Sequence, residues 1–86
     1  MKVLFYANVQ DFTSGEKMIE TGDVQCMRAL ITLLGERFGE KFRVFLLGDN
    51  TCFFLINGRG IMATGGLDSP LHPDDKIEVL PFVGGG

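Results

Sequence analysis

Apolar and polar residues alternate along the first positions of the chain. One side of an extended segment would carry an apolar set, Val3, Phe5, Ala7 and Val9, and the other side a mixed set, Lys2, Leu4, Tyr6 and Asn8. This alternation predicts a strand over residues 2–9 with one strongly apolar face. The turn signal Thr13-Ser14-Gly15 follows. Residues 16–20 are therefore predicted to return antiparallel to the first strand, as a hairpin.

A helical period replaces the alternation after residue 23. Apolar side chains recur there every three or four positions and form one stripe: Val24, Met27, Leu30, Ile31, Leu34 and Phe38. Asp23 is placed to cap the first turn, and Gly39 suits the left-handed position just beyond the last one. The pattern predicts a helix over about residues 24–38.

The second half of the chain reads as short strands separated by turns. Asn57-Gly58 is a dipeptide favoured in type I′ hairpin turns. The predicted segments are strands over 42–47, 52–56 and 76–82, a short strand over 60–63, and a loop over 64–73. The resulting order is strand, strand, helix, strand, strand, strand.

This order predicts an α+β fold of the β-grasp, ubiquitin-like kind, in which one main helix covers one face of a mixed sheet of four to five strands. A ferredoxin-like domain would need a second helix, which the pattern does not show. We expect a β-grasp domain over residues 1–83, followed by a flexible C-terminal glycine tail over 84–86.

Composition and charge argue against some classes of function. The 86 residues suit one domain, and 8 basic against 11 acidic residues give a net charge of -3. The basic residues are scattered, which argues against binding to nucleic acid. The mildly acidic balance of the domain suits a basic protein partner. The longest apolar run, residues 52–56, is far shorter than the roughly 20 residues of a membrane span. The N-terminus does not resemble a signal peptide. We therefore expect no membrane association and a cytoplasmic location.

Most candidate chemistry within the domain has an ordinary structural interpretation. Cys26 and Cys52 are too few for a disulfide framework, and His72 is the single histidine. Asp74-Asp75 reads as a solvated turn, and Asn57-Gly58-Arg59-Gly60 as a hairpin turn rather than a ligand cradle. We expect no metal site, no bound cofactor and no catalysis by the chain alone.

The glycine tail is the exception. The chain passes from an apolar strand directly into Gly84-Gly85-Gly86. Glycine has no Cβ, so such a tail can thread a narrow channel in a partner and leave its carbonyl open to attack. A free carboxylate is a poor electrophile and must first be activated, for example as an acyl-adenylate. No ATP site is visible in this sequence, so a partner would perform that step. The alternative is a frayed end or a cloning remnant.

Several segments together resemble a known family, the small β-grasp sulfur carriers and above all the small subunit of molybdopterin synthase. The segments are Lys2–Ala7, the 24–38 helix, Phe54–Arg59 and Leu71–Gly86. The family typically shows a Gly-Asp turn, a strand, Pro-Pro-Val, one variable residue and terminal Gly-Gly. In this chain Phe82 replaces the second proline, Gly84 holds the variable position, and His72-Pro73-Asp74-Asp75 replaces the turn.

The resemblance implies a reaction sequence. An adenylating enzyme would use ATP to convert the Gly86 carboxylate to an acyl-adenylate. A sulfur donor such as a cysteine desulfurase or a rhodanese would then convert it to a thiocarboxylate. The tail would enter the large subunit of molybdopterin synthase and give its sulfur to the dithiolene that holds molybdenum or tungsten. Gly86 and Gly85 would carry the chemistry, and the partners would contact the preceding residues, Gly84, Val83, Phe82, Pro81 and Leu80.

The sheet pattern also predicts a docking surface. Four apolar residues fall on the face opposite the predicted core: Leu4, Tyr6, Leu80 and Phe82. An uncovered apolar face near the tail would serve as a docking surface, with Phe82 as its aromatic anchor. The alternative is that the loop over 64–75 covers this face.

Three other functions remain open. A thiamine-type sulfur carrier would use the same activation, although such chains are usually shorter. A ubiquitin-like modifier would form an isopeptide bond between Gly86 and a lysine. A binding or structural module would carry the tail incidentally, and would keep its function without Gly85-Gly86.

Overall fold

The computed structural model describes residues 1–48 and 51–82. Five strands and two α-helices make up its framework: β1 (Lys2–Phe5), β2 (Met18–Glu20), α1 (Met27–Phe38), α2 (Glu40–Leu47), β3 (Cys52–Ile56), β4 (Arg59–Gly60) and β5 (Lys76–Pro81). Short 3-10 turns lie at Ala7–Asp11, Ile61–Ala63 and Gly66–Asp68. None of the described helices is long and apolar enough to cross a lipid bilayer.

The strands form one mixed sheet in the order β2-β1-β5-β3-β4. The first and last strands, β1 and β5, run parallel at its centre, with Val3 beside Ile77 and Phe5 beside Val79. The other neighbours are antiparallel: β2 on β1, β3 on β5 and β4 on β3. The α+β fold of β-grasp type is therefore confirmed, as is the N-terminal hairpin.

Alternation along the strands gives the sheet one buried face. Val3, Phe5, Ile77 and Val79 are at most 1% exposed. The helix α1 packs on this face through the predicted apolar stripe, of which Met27, Leu30, Ile31 and Leu34 are buried. This packing of helix on sheet is the core of the domain.

The main helix begins later than the stripe indicates. Cys26 is extended, and no side chain caps the first turn. The backbone before the helix pairs instead with the loop ahead of β5: Met27 N donates to Ser69 O at 3.1 Å, and Leu71 N donates to Gln25 O at 3.0 Å. The predicted start at residue 24 and the capping role of Asp23 were therefore wrong, because tertiary pairing holds this segment extended. Gly39 ends the helix with a φ of 115°, as predicted.

Residues 42–47 form most of α2, not the predicted strand. This six-residue segment, in which all but Arg43 are apolar, fits either period. The spacing i, i+3, i+4 decides here because it turns Phe42, Phe45 and Leu46 toward the core. The Phe42 ring lies 5.8 Å from that of Phe38 and 5.9 Å from that of Phe5. The second helix follows α1 directly, so it does not create a ferredoxin-like order.

The remaining boundaries differ from prediction at strand ends. The first strand stops at Phe5, and Ala7–Asp11 turns so that Val9 is fully buried. The predicted strand over 60–63 is reduced to Arg59–Gly60, after which a 3-10 turn begins. The hairpin turn has positive φ at both Asn57 (52°) and Gly58 (85°), as type I′ requires. That turn and the strand over 52–56 are confirmed.

The contact between the two helices yields a test of stability. An alanine at helical position 35 would place its Cβ 2.7 Å from Arg43 Cβ and 3.1 Å from Arg43 Cγ. Although alanine usually stabilises a helix interior by about 1 kcal/mol over glycine, we expect Gly35→Ala to lower the free energy of unfolding by about 1–3 kcal/mol because it overpacks this contact. Urea denaturation measures the change. Gly22→Ala, where the added Cβ meets no atom within 4 Å, is the matched control, and a more stable Gly35→Ala protein would contradict the packing described.

Candidate partner-docking site

The face of the sheet opposite the helices is largely apolar, and none of residues 1–48 and 51–82 covers it. Its outward side chains lie on β1, β2, β3 and β5 and directly after β1, and they alternate with the buried ones. We call this surface the open face: Leu4, Tyr6, Met18, Phe53, Leu55, Glu78 and Leu80. Met18 is 48% exposed and Phe53 43% exposed. Because large apolar side chains are uncommon in such a contiguous, uncovered arrangement, the open face has the character of a docking surface.

The loop over 64–75 does not cover the open face. Its Ser69 and Leu71 pair with the backbone at the start of α1, and the Leu71 side chain is buried. The loop therefore packs on the helix side of the sheet, and the predicted alternative in which it screens the open face was wrong.

A charged residue interrupts the open face at its centre. Glu78 lies on β5, the middle strand, directly between Leu4 of β1 and Leu55 of β3. The Tyr6 hydroxyl donates a hydrogen bond of 2.7 Å to Glu78 Oε2. Lys76 Nζ lies 3.9 Å from Glu78 Oε1. The hydrogen bond to the carboxylate, with some burial, raises the pKa of Tyr6.

An apolar groove of about 430 Å³ adjoins this region beside the first residues of β3, ahead of Leu55 and Ile56, which pair with β4. Leu46, Leu47, Cys52, Phe53, Met62 and Phe82 contribute to its walls. Phe53 belongs to both the groove and the open face, so the two surfaces are continuous. Met62 is 88% exposed at the rim.

The two thiols carry no visible chemistry in this setting. Both cysteines are free and half-buried. Burial raises the pKa of the Cys52 thiol, whose Sγ lies 3.8 Å from Leu46 O. A raised pKa disfavours the nucleophilic thiolate. Among the described residues, no group of three or more His, Cys, Asp or Glu side chains could hold a metal ion.

The predicted acidic turn has a structural role. Asp75 Oδ1 accepts a hydrogen bond of 2.8 Å from Asn57 Nδ2, and Asp75 Oδ2 accepts one of 2.8 Å from the His72 backbone N. Lys76 N in turn donates to Asn57 Oδ1 at 2.9 Å. These bonds tie the β3–β4 hairpin turn to the start of β5. We call this set of hydrogen bonds the clamp at Asp75. The neighbouring Asp74 is exposed.

The structure describes three of the seven predicted site residues. Leu80 and Pro81 are half-buried in β5, and Phe82 is 47% exposed. The Phe82 backbone N donates to Thr51 O at 3.0 Å, so strand-like pairing continues past Pro81. Phe82 borders the groove together with Phe53. The other predicted site residues, Val83, Gly84, Gly85 and Gly86, lie outside the described residues.

Sequence reasoning missed four members of the open face: Met18, Phe53, Leu55 and Glu78. Phe53 and Met18 become visible as surface residues only once the register of β3 and β2 is known, because their own segments are too short to fix an inward side. The sequence places Glu78 within a predicted strand and assigns it no further role. Its position between two outward leucines follows from the pairing of β5 with both neighbours, which the sequence does not specify.

A family model matches almost the whole chain, residues 3–86, and its description is the ThiS family. The chain belongs to the ThiS family. Proteins of this kind are ubiquitin-like sulfur carriers and modifiers. They are not catalytic alone, and they work with activating enzymes and partner subunits.

Solved structures agree with the fold and span several functions. CysO of Mycobacterium tuberculosis, an antigen, has a TM-score of 0.83 at 18% identity, over 95% of this chain and 98% of its own; that identity shows the fold alone. Small archaeal modifier protein 1 of Methanosarcina acetivorans has a TM-score of 0.78 at 25% identity, over 99% and 94%. A Pyrococcus furiosus protein provisionally assigned as molybdopterin converting factor subunit 1 has a TM-score of 0.72 at 26% identity, over 95% of each chain. Among curated proteins, no sequence matches this chain.

The Tyr6–Glu78 contact can be tested by spectrophotometric titration, since the chain has one tyrosine and no tryptophan. We expect the pKa of Tyr6 to lie above the ordinary value of about 10, and Glu78→Gln to lower it because the negative charge is removed. Because the pKa of Tyr6 is raised in the folded protein, the contact contributes its full stability at pH values below the ordinary tyrosine pKa. That stability is lost as the pH rises through the pKa of Tyr6 in the folded state. Glu36→Gln on α1 is the control. An unchanged Tyr6 titration in Glu78→Gln would contradict the contact.

The groove and the open face predict a role for Phe82 in binding. We expect Phe82→Ala to weaken binding to the activating enzyme at least about tenfold, since large aromatic side chains dominate such interfaces. The melting temperature should stay unchanged because the ring is half-exposed. Val44→Ala on α2, which also truncates an exposed apolar side chain, is the matched control. Isothermal titration calorimetry measures both, and wild-type affinity for Phe82→Ala would contradict the anchor role.

Proposed function

We propose that this chain is the sulfur-donating small subunit of a molybdopterin synthase. The observation that supports this most directly is the position of the last strand. The middle strand, β5, ends at Pro81 beside an open apolar surface, and the sequence continues from there to Gly86. A docked partner would hold the domain while its active site receives the glycines. The likeness to the Pyrococcus furiosus protein adds support for the molybdopterin role.

The proposed chemistry resides in the carboxylate of Gly86. On the activating enzyme, one carboxylate oxygen attacks the α-phosphorus of ATP, pyrophosphate leaves, and an acyl-adenylate forms. The terminal sulfur of a cysteine persulfide on the donor then attacks the acyl carbon and AMP leaves, which gives an acyl persulfide. A second thiol attacks the donor's sulfur in that S–S bond and forms a disulfide with it, and the thiocarboxylate is released. In the synthase, this sulfur passes to a pterin precursor for the dithiolene. The chain itself binds no cofactor in this scheme, and ATP belongs to the partner.

The scheme requires three protein partners. They are an adenylating enzyme related to ubiquitin-activating enzymes, the large subunit of molybdopterin synthase, and a sulfur donor such as a cysteine desulfurase or a rhodanese. The mildly acidic surface, with a net charge of -3, suits protein partners rather than nucleic acid. A cytoplasmic location, without membrane association, is part of the proposal.

A protein modifier is the second candidate function. The likeness to small archaeal modifier protein 1 favours it, with 25% identity over almost the whole chain. Activation would be the same, and the nucleophile would decide the outcome: sulfur gives a carrier, whereas a lysine amine gives an isopeptide conjugate. A thiamine-type carrier differs only in the acceptor of the sulfur.

Intact mass separates these functions. The chain is incubated with ATP, a sulfur source and an extract of its own organism, and we expect one terminal oxygen to be replaced by sulfur. A chain lacking Gly85-Gly86 is the control and should keep its mass. Omission of ATP should also abolish the change.

Two other results would contradict the carrier function. An unchanged mass, in an extract shown to thiolate a known carrier, would exclude thiocarboxylate formation. Attachment of the chain to other proteins would support the modifier. If the thiocarboxylate forms, incubation with a synthase large subunit and a pterin precursor tests the molybdopterin role directly, because only that acceptor yields the dithiolene.

A further inference from the structure

The charged residue in the open face limits which partner can cover it. Glu78 lies on the middle strand of the sheet, with Leu4 and Leu55 beside it on the two neighbouring strands. Leu80 follows two positions later on the same face. A partner that docks on these leucines cannot avoid the carboxylate, because it lies between them.

The carboxylate is already partly removed from water. Its side chain is 16% exposed, whereas that of Lys76, its nearest cation, is 53% exposed. Oε2 accepts the hydrogen bond from Tyr6, whereas among the described residues the polar neighbour of Oε1 is Lys76 Nζ at 3.9 Å. This separation is too long for a hydrogen bond. Oε1 therefore depends on solvent in the free protein.

Docking of a purely apolar surface would strip that solvent away. A carboxylate that loses water without gaining a hydrogen-bond donor is strongly destabilised. An arginine or lysine from the partner would instead give Oε1 a charge-assisted hydrogen bond. The Glu78 carboxylate therefore disfavours binding of a purely apolar surface and favours a partner with a basic residue at the matching position.

The same charge disfavours a second copy of the chain. Face-to-face pairing about a two-fold axis through the centre of the open face would bring two Glu78 carboxylates together, and like charges at close range repel. Each copy also carries a net charge of -3. These charges therefore favour a different protein as the occupant of the open face.

We propose that the open face binds the activating enzyme through an arginine or lysine of that enzyme placed against Glu78, within a ring of apolar contacts to Leu4, Leu55 and Leu80. This inference rests on the proposed function only in that the Gly86 carboxylate must be activated. A sulfur carrier and a modifier both need that step, so the contact serves either.

The test compares Glu78→Gln with wild type in binding to the organism's own activating enzyme over a range of NaCl concentrations. Glutamine keeps the shape and can still accept the Tyr6 hydrogen bond. We expect at least tenfold weaker binding at low salt and a shallower salt dependence. Glu36→Gln, which removes an exposed carboxylate on α1, should match wild type. Tyr6→Phe removes the hydroxyl but keeps the charge, and should retain the wild-type salt dependence. Circular dichroism and thermal melting check that each variant is folded.

Each outcome bears on the contact in a stated way. Glu78→Gln binding with wild-type affinity and salt dependence would overturn the contact, as would a wild-type dimer that buries the open face in sedimentation experiments. ATP–pyrophosphate exchange with the wild-type chain reports activation separately. Exchange without later thiocarboxylate formation would overturn the sulfur function and leave the contact standing. Failure of the wild-type chain to bind the enzyme or support exchange would overturn both.

Discussion

The parallel pairing of β1 with β5 is the constraint on which the rest of the structure depends. It brings the first and last strands together at the centre of the sheet, with Val3 beside Ile77 and Phe5 beside Val79. Parallel neighbours need a long crossover, and the helices α1 and α2 lie within it. The same pairing leaves Ile77–Val79 flanked on both sides, whereas Leu80 and Pro81, which lie nearer the tail, pair with β3 alone.

The two faces of the sheet have different roles. The inward face is closed by α1 and by the aromatic cluster around Phe42, and its burial stabilises the domain. The outward face is largely apolar, and no described part of the chain covers it. Exposing this face to water costs free energy, and a free monomer gains nothing in return. A protein that works by visiting partners in turn requires such a surface, and Glu78 gives it selectivity that leucines alone cannot provide.

The sequence was informative where local chemistry decides the structure. Alternation fixed the inward residues of β1 and β5, and Asn57-Gly58 determined its turn. Prediction failed at residues 42–47, where a short apolar run fits both periods and packing against Phe5 and Phe38 selects the helix. It failed again before Met27, where pairing with the loop near Ser69 outweighs the capping potential of Asp23. At the site, Phe82 and Leu80 were identified from order along the chain, but the centrality of Glu78 depends on register between distant strands.

The clamp at Asp75 has a mechanical consequence. It fixes the start of β5 to the hairpin turn at Asn57, at the end of the strand farthest from the tail. A force that pulls on the C-terminus would therefore act along β5. The hydrogen bonds from β5 to β1 and β3 would then resist that force together and would not open one after another. In the proposed function, a partner that binds the glycines would therefore pull along a strand whose far end is held by the clamp.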